Sequence, residues 1–279
     1  MQSPVLPLND GGHIPQLGLG TWQTAPDKAA TAVSAALKCG YRLIDTATIY
    51  ENEIEVGDGL RDGFEATGLS RDQVFVTTKL WNSDQGFDSA LAAFDDSLAR
   101  LRLDYIDAYL IHWPCPKKDR YLDSWKALIR LKEEKRVKSI GVSNFQIAHM
   151  ERIINETGVV PSMNQIELHP DFTQPELREF HARHGILTQS WSPLGQGRLI
   201  THPVIVAISK KHGRTPAQVL IRWHIEAGLS VIPKSIRGER IWENFNIFDF
   251  KLDSEDLASL AERDAPTNRL GPNPDTADF

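Results

Sequence analysis

The stretch that decides the fold is Tyr105-Ile-Asp-Ala-Tyr-Leu-Ile-His112-Trp-Pro114. It is a run of strand-forming residues that stops abruptly at a histidine, a tryptophan and a proline, which is typical of a buried strand with a polar residue at its C-terminal end. Three other runs have the same design: Tyr41-Arg-Leu-Ile-Asp45, Val74-Phe-Val-Thr-Thr-Lys79 and Val137-Lys-Ser-Ile-Gly-Val-Ser143-Asn144. In a parallel sheet, all four polar ends lie at the same edge.

Strand and helix patterns alternate along the chain, which predicts an α/β fold with a parallel sheet covered by helices. The first helix, for example, is predicted from Asp27 to Lys38 and stops at the glycine cap Gly40. Eight such units favour closure into a (β/α)8 TIM barrel, and the 279 residues are close to its typical size of about 250. No break in composition indicates a second domain, so residues 1–279 are predicted to form one domain.

The two ends of the chain depart from this alternation. Residues 5–17 predict a β-hairpin, because the turn Asn9-Asp-Gly-Gly12 supplies the positive φ angles that tight hairpins need. The prolines in it favour an edge or plug of the barrel over a core strand. The tail from Ala265 is rich in Pro, Gly, Asn and Asp, has no periodicity and is predicted to lie over the surface.

The composition excludes several classes of partner. A formal net charge of -6 argues against nucleic-acid binding. No stretch is long and apolar enough for a membrane span, and the first residues lack the basic and apolar regions of a secretory signal. Cys39 and Cys115 are too few for a disulfide framework. A cytoplasmic protein is therefore predicted, and a monomer is the simplest expectation because no large apolar stripe stands out.

The predicted barrel brings Asp45, Lys79 and His112 to one mouth, with Tyr50 shortly after the first of them. Each residue alone is more often structural: a helix cap, a solvated lysine, a core histidine or a surface tyrosine. Together they form a cluster that packing does not explain. A lysine cation near the tyrosine is expected to lower its pKa, and Asp45 would keep Lys79 charged and in place. Such a site can protonate a carbonyl oxygen that His112 orients while a hydride arrives at the carbon.

The familiar cofactor and metal motifs are absent from the sequence. Gly18-Leu-Gly20 runs on to Gln23 and does not complete a dinucleotide-binding Gly-x-Gly-x-x-Gly motif. There is no nucleotide-binding Walker loop, no His-Glu-x-x-His motif and no cysteine cluster for zinc. His181 and His184 could share a helical face, but no third ligand accompanies them, so we expect them to be solvated. No metal site is predicted.

Other polar residues at strand ends predict a cofactor site. Lys234, Ser235 and Arg240 follow the eighth strand, where barrels often bind phosphate, and they precede or open a helix. Ser143, Asn144 and Gln165 end the fifth and sixth strands and could hydrogen-bond a carboxamide. Trp191 ends the seventh strand and offers a flat face to a nicotinamide ring. The alternative is ordinary loop capping for the serine and asparagine, and core packing for Trp191.

In these residues the chain resembles the aldo-keto reductase family. Nearly the whole chain takes part, in the right order, and the combination of motifs is very specific. The matching segments are Gly40-Tyr-Arg-Leu-Ile-Asp-Thr-Ala47 with Tyr50 and Glu53 to Gly57; Leu110-Ile-His-Trp-Pro114; Lys138-Ser-Ile-Gly-Val-Ser-Asn-Phe145; Asn164-Gln165; and Ile232-Pro-Lys-Ser235 with Arg240 and Glu243-Asn244. Within the family, the segments 78–82, 191–197 and 246–250 are most similar to bacterial 2,5-diketo-D-gluconate reductases.

The resemblance implies a barrel plugged by the hairpin and an NADPH-dependent reduction of aldehydes and ketones, with 2,5-diketo-D-gluconate or related α-dicarbonyl and sugar-derived compounds as substrates. It assigns Tyr50 as proton donor, with Asp45, Lys79 and His112 as its catalytic partners. Trp22, Trp81 and Trp113 would line an apolar substrate mouth beside Tyr50 and His112, and the short tail after Asp264 implies that this mouth is open. The implied cofactor-binding residues are Gly20, Thr21, Trp22, Asp45, Ser143, Asn144, Gln165, Trp191, Ser192, Pro193, Leu194, Gly195, Gln196, Gly197, Ile232, Pro233, Lys234, Ser235, Arg240, Glu243 and Asn244.

Two other functions compete with this interpretation. A regulatory subunit that senses NADPH could use the same fold, although the complete set of four catalytic residues favours an enzyme. A metal-dependent barrel hydrolase would need His and Asp ligands at strand ends. Only Asp45 and His112 qualify, and Lys79 between them would repel a cation.

Overall fold

A computed structural model describes residues 3–277 and 279. Met1 and Gln2, on which the prediction about a secretory signal partly rests, lie outside the described residues. The strands are β1 (Val5–Pro7), β2 (His13–Pro15), β3 (Leu19–Gly20), β4 (Leu43–Asp45), β5 (Phe75–Leu80), β6 (Ile106–Ile111), β7 (Val137–Ser143), β8 (Met163–Glu167), β9 (Leu187–Trp191) and β10 (Ser230–Val231). The helices are α1 (Pro26–Cys39), α2 (Glu53–Thr67), α3 (Phe87–Leu101), α4 (Tyr121–Glu133), α5 (Ile147–Thr157), α6 (Pro175–His184), α7 (Pro203–His212), α8 (Pro216–Glu226), α9 (Gly238–Phe245) and α10 (Ser254–Ala261).

Strands β3 to β10 form one parallel sheet in which each strand pairs with its neighbour along the chain. The sheet closes on itself because two parallel bridges, Leu17 to Val231 and Gly20 to Lys234, join its first and last strands. Helices follow the strands and cover the outside, and α1 ends at Gly40 in the left-handed conformation, as predicted. The TIM-barrel prediction is confirmed.

The N-terminal hairpin closes the end of the barrel at which the strands begin. β1 and β2 pair antiparallel, and Gly11 has a φ of 88° in the turn between them. Leu8 and Ile14 are buried and pack with Leu110 and Met163 in the cluster that fills the barrel interior. The predicted plug is therefore present.

The strand register places the predicted catalytic residues at the opposite end. Asp45 ends β4 and pairs with Thr77 on β5, so Lys79 lies two residues farther along β5 on the same face. His112 follows the last residue of β6 directly. The polar residues that end the apolar runs therefore lie together at the C-terminal face of the barrel. In the part of the chain that the structure describes, no helix is long and apolar enough to cross a membrane.

Candidate active site

A cavity of about 700 Å³ opens at the C-terminal face of the barrel. It extends from the strand ends near Asp45 to the loop after β10, and the tail of the chain forms part of its wall. Its lining residues are Gly20, Trp22, Gln23, Asp45, Ile49, Tyr50, Trp81, His112, Trp113, Ser143, Asn144, Gln165, Trp191, Ser192, Pro193, Leu194, Gln196, Gly197, Ile232, Pro233, Lys234, Gly271, Pro272 and Phe279.

A buried ion pair lies at the floor of this cavity. Lys79 Nζ is 2.6 Å from Asp45 Oδ1 and also donates to the carbonyl oxygen of Thr46 at 2.8 Å. The second carboxylate oxygen of Asp45 accepts a hydrogen bond of 2.7 Å from Gln165 Nε2. Burial raises the pKa of Asp45 and lowers the pKa of Lys79. All the polar atoms of the pair thus have partners, which is what two buried charges require.

Tyr50 lies above this pair, at the end of a short helical turn that follows β4. Thr48 in the same turn donates a hydrogen bond of 3.1 Å to the carbonyl oxygen of Lys79, which ties the turn to β5. Lys79 Nζ lies 5.1 Å from the centroid of the Tyr50 ring. Burial raises the pKa of Tyr50 well above its usual range, and the Asp45 carboxylate raises it further. The sequence predicted a lowered pKa for Tyr50, and this net direction is wrong: burial and the Asp45 carboxylate place the pKa above its ordinary value, so the phenol stays protonated.

His112 faces Tyr50 across the cavity, with 5.8 Å between the ring centroids. Burial, reinforced by the Lys79 cation, lowers the pKa of His112 well below its usual range. Its Nδ1 atom is buried and has no hydrogen-bond partner among the described residues. The imidazole is therefore neutral near pH 7, and it can act as a hydrogen-bond donor but not as a cation.

The predicted carboxamide-binding residues are linked to one another around the cavity wall. Asn144 donates a hydrogen bond of 3.0 Å to the carbonyl oxygen of His112 and accepts one of 2.8 Å from the indole of Trp191. Ser143 Oγ donates to the carbonyl oxygen of Gln165 at 2.8 Å. Gln165 uses its Nε2 atom within the protein, and no donor among residues 3–277 and 279 contacts its Oε1 atom. One acceptor thus remains for a ligand.

The opposite end of the cavity carries positive charge. Lys234 lines the cavity and Arg240 lies in the first turn of α9, and both side chains are exposed. Within the described residues, neither forms an ion pair with a carboxylate. Glu243, by contrast, accepts a hydrogen bond of 2.7 Å from Thr215 and points to α8.

Seven of the predicted site residues do not line the cavity itself. Lys79 lies beneath it in contact with Asp45, as its predicted role requires. The other six lie beside or behind the lining segments, and their predicted contacts stay predictions: Thr21, Gly195, Ser235, Arg240, Glu243 and Asn244.

The substrate end of the cavity is narrower than the sequence suggested. Phe279 stacks on Trp81 with 5.9 Å between the ring centroids and 21° between the planes, and it meets Trp113 edge-on at 5.2 Å. Glu167 anchors the tail by accepting hydrogen bonds from the backbone N–H groups of Leu270 (2.6 Å) and Gly271 (2.8 Å). The prediction of an open mouth is therefore wrong, because the tail crosses the mouth and does not merely cover the outer surface.

Five lining residues were missed from sequence: Gln23, Ile49, Gly271, Pro272 and Phe279. Gln23 and Ile49 adjoin predicted site residues, so their position in the chain was a usable signal. The three tail residues had no such signal in the sequence, because the segment has no periodicity and its path depends on contacts with distant strands.

His181 also differs from its prediction. It is 1% exposed and hydrogen-bonds Asn164 at 3.0 Å and Thr188 at 2.8 Å. Burial lowers its pKa to about 3. It is a hydrogen-bonded core residue, whereas His184 is exposed as expected. No group of metal-ligating side chains occurs within the described parts of the chain.

Comparison with known proteins adds independent findings. A model of the aldo/keto reductase family matches residues 16–265. The chain is 53% identical over 277 residues to an aldo-keto reductase of Mycolicibacterium smegmatis, with 99% of each chain covered. It is 50% identical over 273 residues to the methylglyoxal reductase DkgA of Escherichia coli, with 97% of each chain covered.

Solved structures agree with these matches. A variant of Gox0644 in complex with NADPH is 50% identical to the chain, with a TM-score of 0.95 and 100% of both chains covered. An aldo-keto reductase of Bombyx mori in complex with NADP is 34% identical, with a TM-score of 0.89 and 97% and 95% of the two chains covered.

Proposed function

The chain belongs to the aldo/keto reductase family, and we propose that it reduces the carbonyl groups of small aldehydes and ketones to alcohols with NADPH. The observation that carries this proposal is the buried Asp45–Lys79 pair beneath Tyr50, with His112 on the other side of the same cavity. Relatives in complex with NADPH or NADP support the choice of cofactor.

The residues at the two ends of the cavity fit the nicotinamide and the 2′-phosphate of such a cofactor. The free Oε1 atom of Gln165 can accept a hydrogen bond from a carboxamide N–H, and the partly exposed Trp191 ring can lie against a nicotinamide. Lys234 and Arg240 lack carboxylate partners within the described chain, so their charge is available to a 2′-phosphate. Bound NADPH would supply the hydride that reduces the carbonyl carbon.

Tyr50 supplies the proton in this proposal. Its raised pKa keeps the phenol protonated at neutral pH, which is the form that a proton donor needs. Negative charge develops on the carbonyl oxygen as the carbon is reduced, and the Tyr50 Oη proton moves to that oxygen. The Lys79 cation, held by Asp45, then faces the phenolate and stabilises it.

His112 orients the carbonyl oxygen. An unpartnered N–H is costly in a buried site, so the unpartnered Nδ1 atom favours the tautomer with its proton on Nε2. A neutral Nε2–H can donate to the substrate oxygen without competing with Tyr50 as an acid. The lowered pKa of His112 preserves this neutral form over the physiological range.

We propose small polar carbonyl compounds as substrates, namely α-dicarbonyl compounds such as methylglyoxal and sugar-derived ketones such as 2,5-diketo-D-gluconate. The named activity of the DkgA relatives supports this choice. The contact of Phe279 with Trp81 and Trp113 supports it too, because it narrows the mouth and leaves little room for large hydrophobic groups. We also propose a monomer, because Asp45, Tyr50, Lys79 and His112 of a single chain complete the catalytic group.

The test is NADPH consumption by the purified protein with methylglyoxal, 2,5-diketogluconate, benzaldehyde and an aldose. We expect turnover with the dicarbonyl compounds, with a higher kcat/KM for NADPH than for NADH. Binding of NADPH without reduction of any carbonyl would favour the cofactor-sensing subunit. Absence of NADPH binding would remove the cofactor assignment altogether.

A further inference from the structure

Four buried polar side chains form a continuous hydrogen-bonded row beneath the cavity. Ser230 on β10, Gln189 on β9 and Gln165 on β8 are register partners on neighbouring strands, so they lie at one level of the barrel. Gln165 reaches across the barrel interior to Asp45 on β4. Each of the four is 2% exposed or less. Other side chains therefore hold every polar atom of the two glutamine side chains except Gln165 Oε1.

The direction of each hydrogen bond in this row follows from the donors and acceptors. Asp45 offers a carboxylate oxygen, so the Gln165 atom 2.7 Å away must be its Nε2 donor. The second N–H of Gln165 is taken by Gln189 Oε1 at 2.6 Å. Gln189 Nε2 in turn donates to Ser230 Oγ at 2.9 Å. Both amide protons of Gln165 are thus used, and only its Oε1 atom remains to face the cavity.

We infer that Gln189 is a positioning residue for the cofactor: it fixes the Gln165 side-chain amide so that the site recognises a carboxamide through its N–H group. This inference rests on the proposed function, because Gln165 acts on a nicotinamide only if the chain binds one. Gln189 does not line the cavity, so it acts through Gln165. Without Gln189, one N–H of Gln165 loses its buried acceptor, and the amide can rotate about its last torsion angle.

The first readout uses a cofactor analogue. 3-Acetylpyridine adenine dinucleotide phosphate has a methyl group where NADP⁺ has the carboxamide NH₂, so it cannot donate to Gln165 Oε1. The wild-type protein should bind it roughly tenfold more weakly than NADP⁺, the cost expected when a ligand cannot satisfy a buried acceptor. The readout is the ratio of the two dissociation constants, that of the analogue divided by that of NADP⁺. Gln189→Met should reduce this ratio at least threefold, chiefly by weakening NADP⁺ binding.

Two further variants separate positioning from general packing. Gln189→Glu keeps an acceptor for Gln165 and should retain the wild-type ratio. Ser190→Ala removes a buried hydroxyl that has no partner among the described residues, one position along β9 and on the opposite face. It should leave the ratio unchanged. A wild-type ratio in Gln189→Met, or an equal loss in Ser190→Ala, would overturn the inference.

The second readout needs no cofactor. In protein labelled with ¹⁵N-glutamine, the side-chain amide signal of Gln165 can be assigned by its loss in Gln165→Met. Its protons should exchange with solvent at least tenfold faster in Gln189→Met than in the wild type. Equal exchange in the two proteins would overturn the inference even if NADPH is bound and used. Failure of the wild type to bind NADP⁺, with slow exchange of Gln165, would instead contradict the proposed function and leave the fixed amide confirmed.

Discussion

Removing one partner of the Asp45–Lys79 pair should cost far more stability than removing both. The two charged atoms are 2.6 Å apart, and the side chains are 2% and 0% exposed. Asp45→Asn leaves a buried ammonium without its counter-ion, and Lys79→Met leaves a buried carboxylate held only by Gln165. Breaking such a buried pair costs about 3–5 kcal/mol, whereas replacing both charges is often nearly neutral.

The expected shifts can be stated for this chain. Each single variant should lose about 3–5 kcal/mol of unfolding free energy. With an unfolding entropy of about 2.1 cal/mol/K per residue over 279 residues, this loss corresponds to a fall in Tm of about 5–9 °C. Asp45→Asn/Lys79→Met should lie within about 2 kcal/mol of the wild type.

Urea unfolding at pH 7 of the wild type, both single variants and the double variant gives the coupling energy as a double-mutant cycle. Lys126→Met serves as the control, because Lys126 pairs with Asp123 on the exposed surface of α4 and should change the stability by less than about 1 kcal/mol. Additive losses in the double variant would refute the reasoning, since they would mean that the two charges are stabilised independently.

Three other perturbations test separate parts of the account. Gly271→Ala should raise the KM for substrate and shift tryptophan fluorescence, because a Cβ there would lie 2.6 Å from the Trp191 ring. Gly238→Ala is the matched control, because an added Cβ there meets no atom within 4 Å and Gly238 does not line the cavity. Unchanged KM and fluorescence would mean that the tail shifts freely. Arg240→Ala should weaken NADPH binding by roughly 10–100-fold, because a charge-assisted hydrogen bond to the 2′-phosphate is lost, and it should leave NADH binding nearly unchanged. Equal losses of affinity for both cofactors would exclude contact between Arg240 and the 2′-phosphate. His224 is buried, and burial lowers its pKa to about 3. As pH falls below about 6.5, the unfolded chain therefore takes up a proton at this residue before the folded chain does, which should cost about 1.4 kcal/mol of stability between pH 7.5 and 5.5. His224→Phe should flatten that pH dependence in urea unfolding. A slope identical to that of the wild type would contradict the burial argument.

Much of the barrel could be predicted from sequence because its signals are local. An apolar run ending in Asp45, Lys79 or His112 indicates both a strand and the end at which its polar residue lies. The parallel register then brings these residues together without further information. The same reasoning located Gln165 and Trp191, whose side chains line the cavity.

The errors concern properties that depend on distant contacts. The pKa of Tyr50 was predicted from one neighbour, Lys79, but in the fold burial and Asp45 dominate. The position of Phe279 depends on Trp81 and Trp113 and has no signature in the tail. His181 was predicted to be solvated because no third metal ligand accompanies it and His184, and the polar sequence around it does not show which face of α6 is buried. The single domain, the monomeric state and the cytoplasmic location stay predictions.

The most direct test of the central claim is the reduction of methylglyoxal by Tyr50→Phe under single-turnover conditions, with NADPH affinity measured in parallel. The account predicts that the rate falls by about 10²–10⁴, the usual contribution of a positioned acid, while the Kd for NADPH stays within about twofold of the wild type. A Tyr50→Phe protein that reduces methylglyoxal at the wild-type rate would contradict the account, because the Asp45–Lys79–Tyr50 arrangement would then not supply the proton.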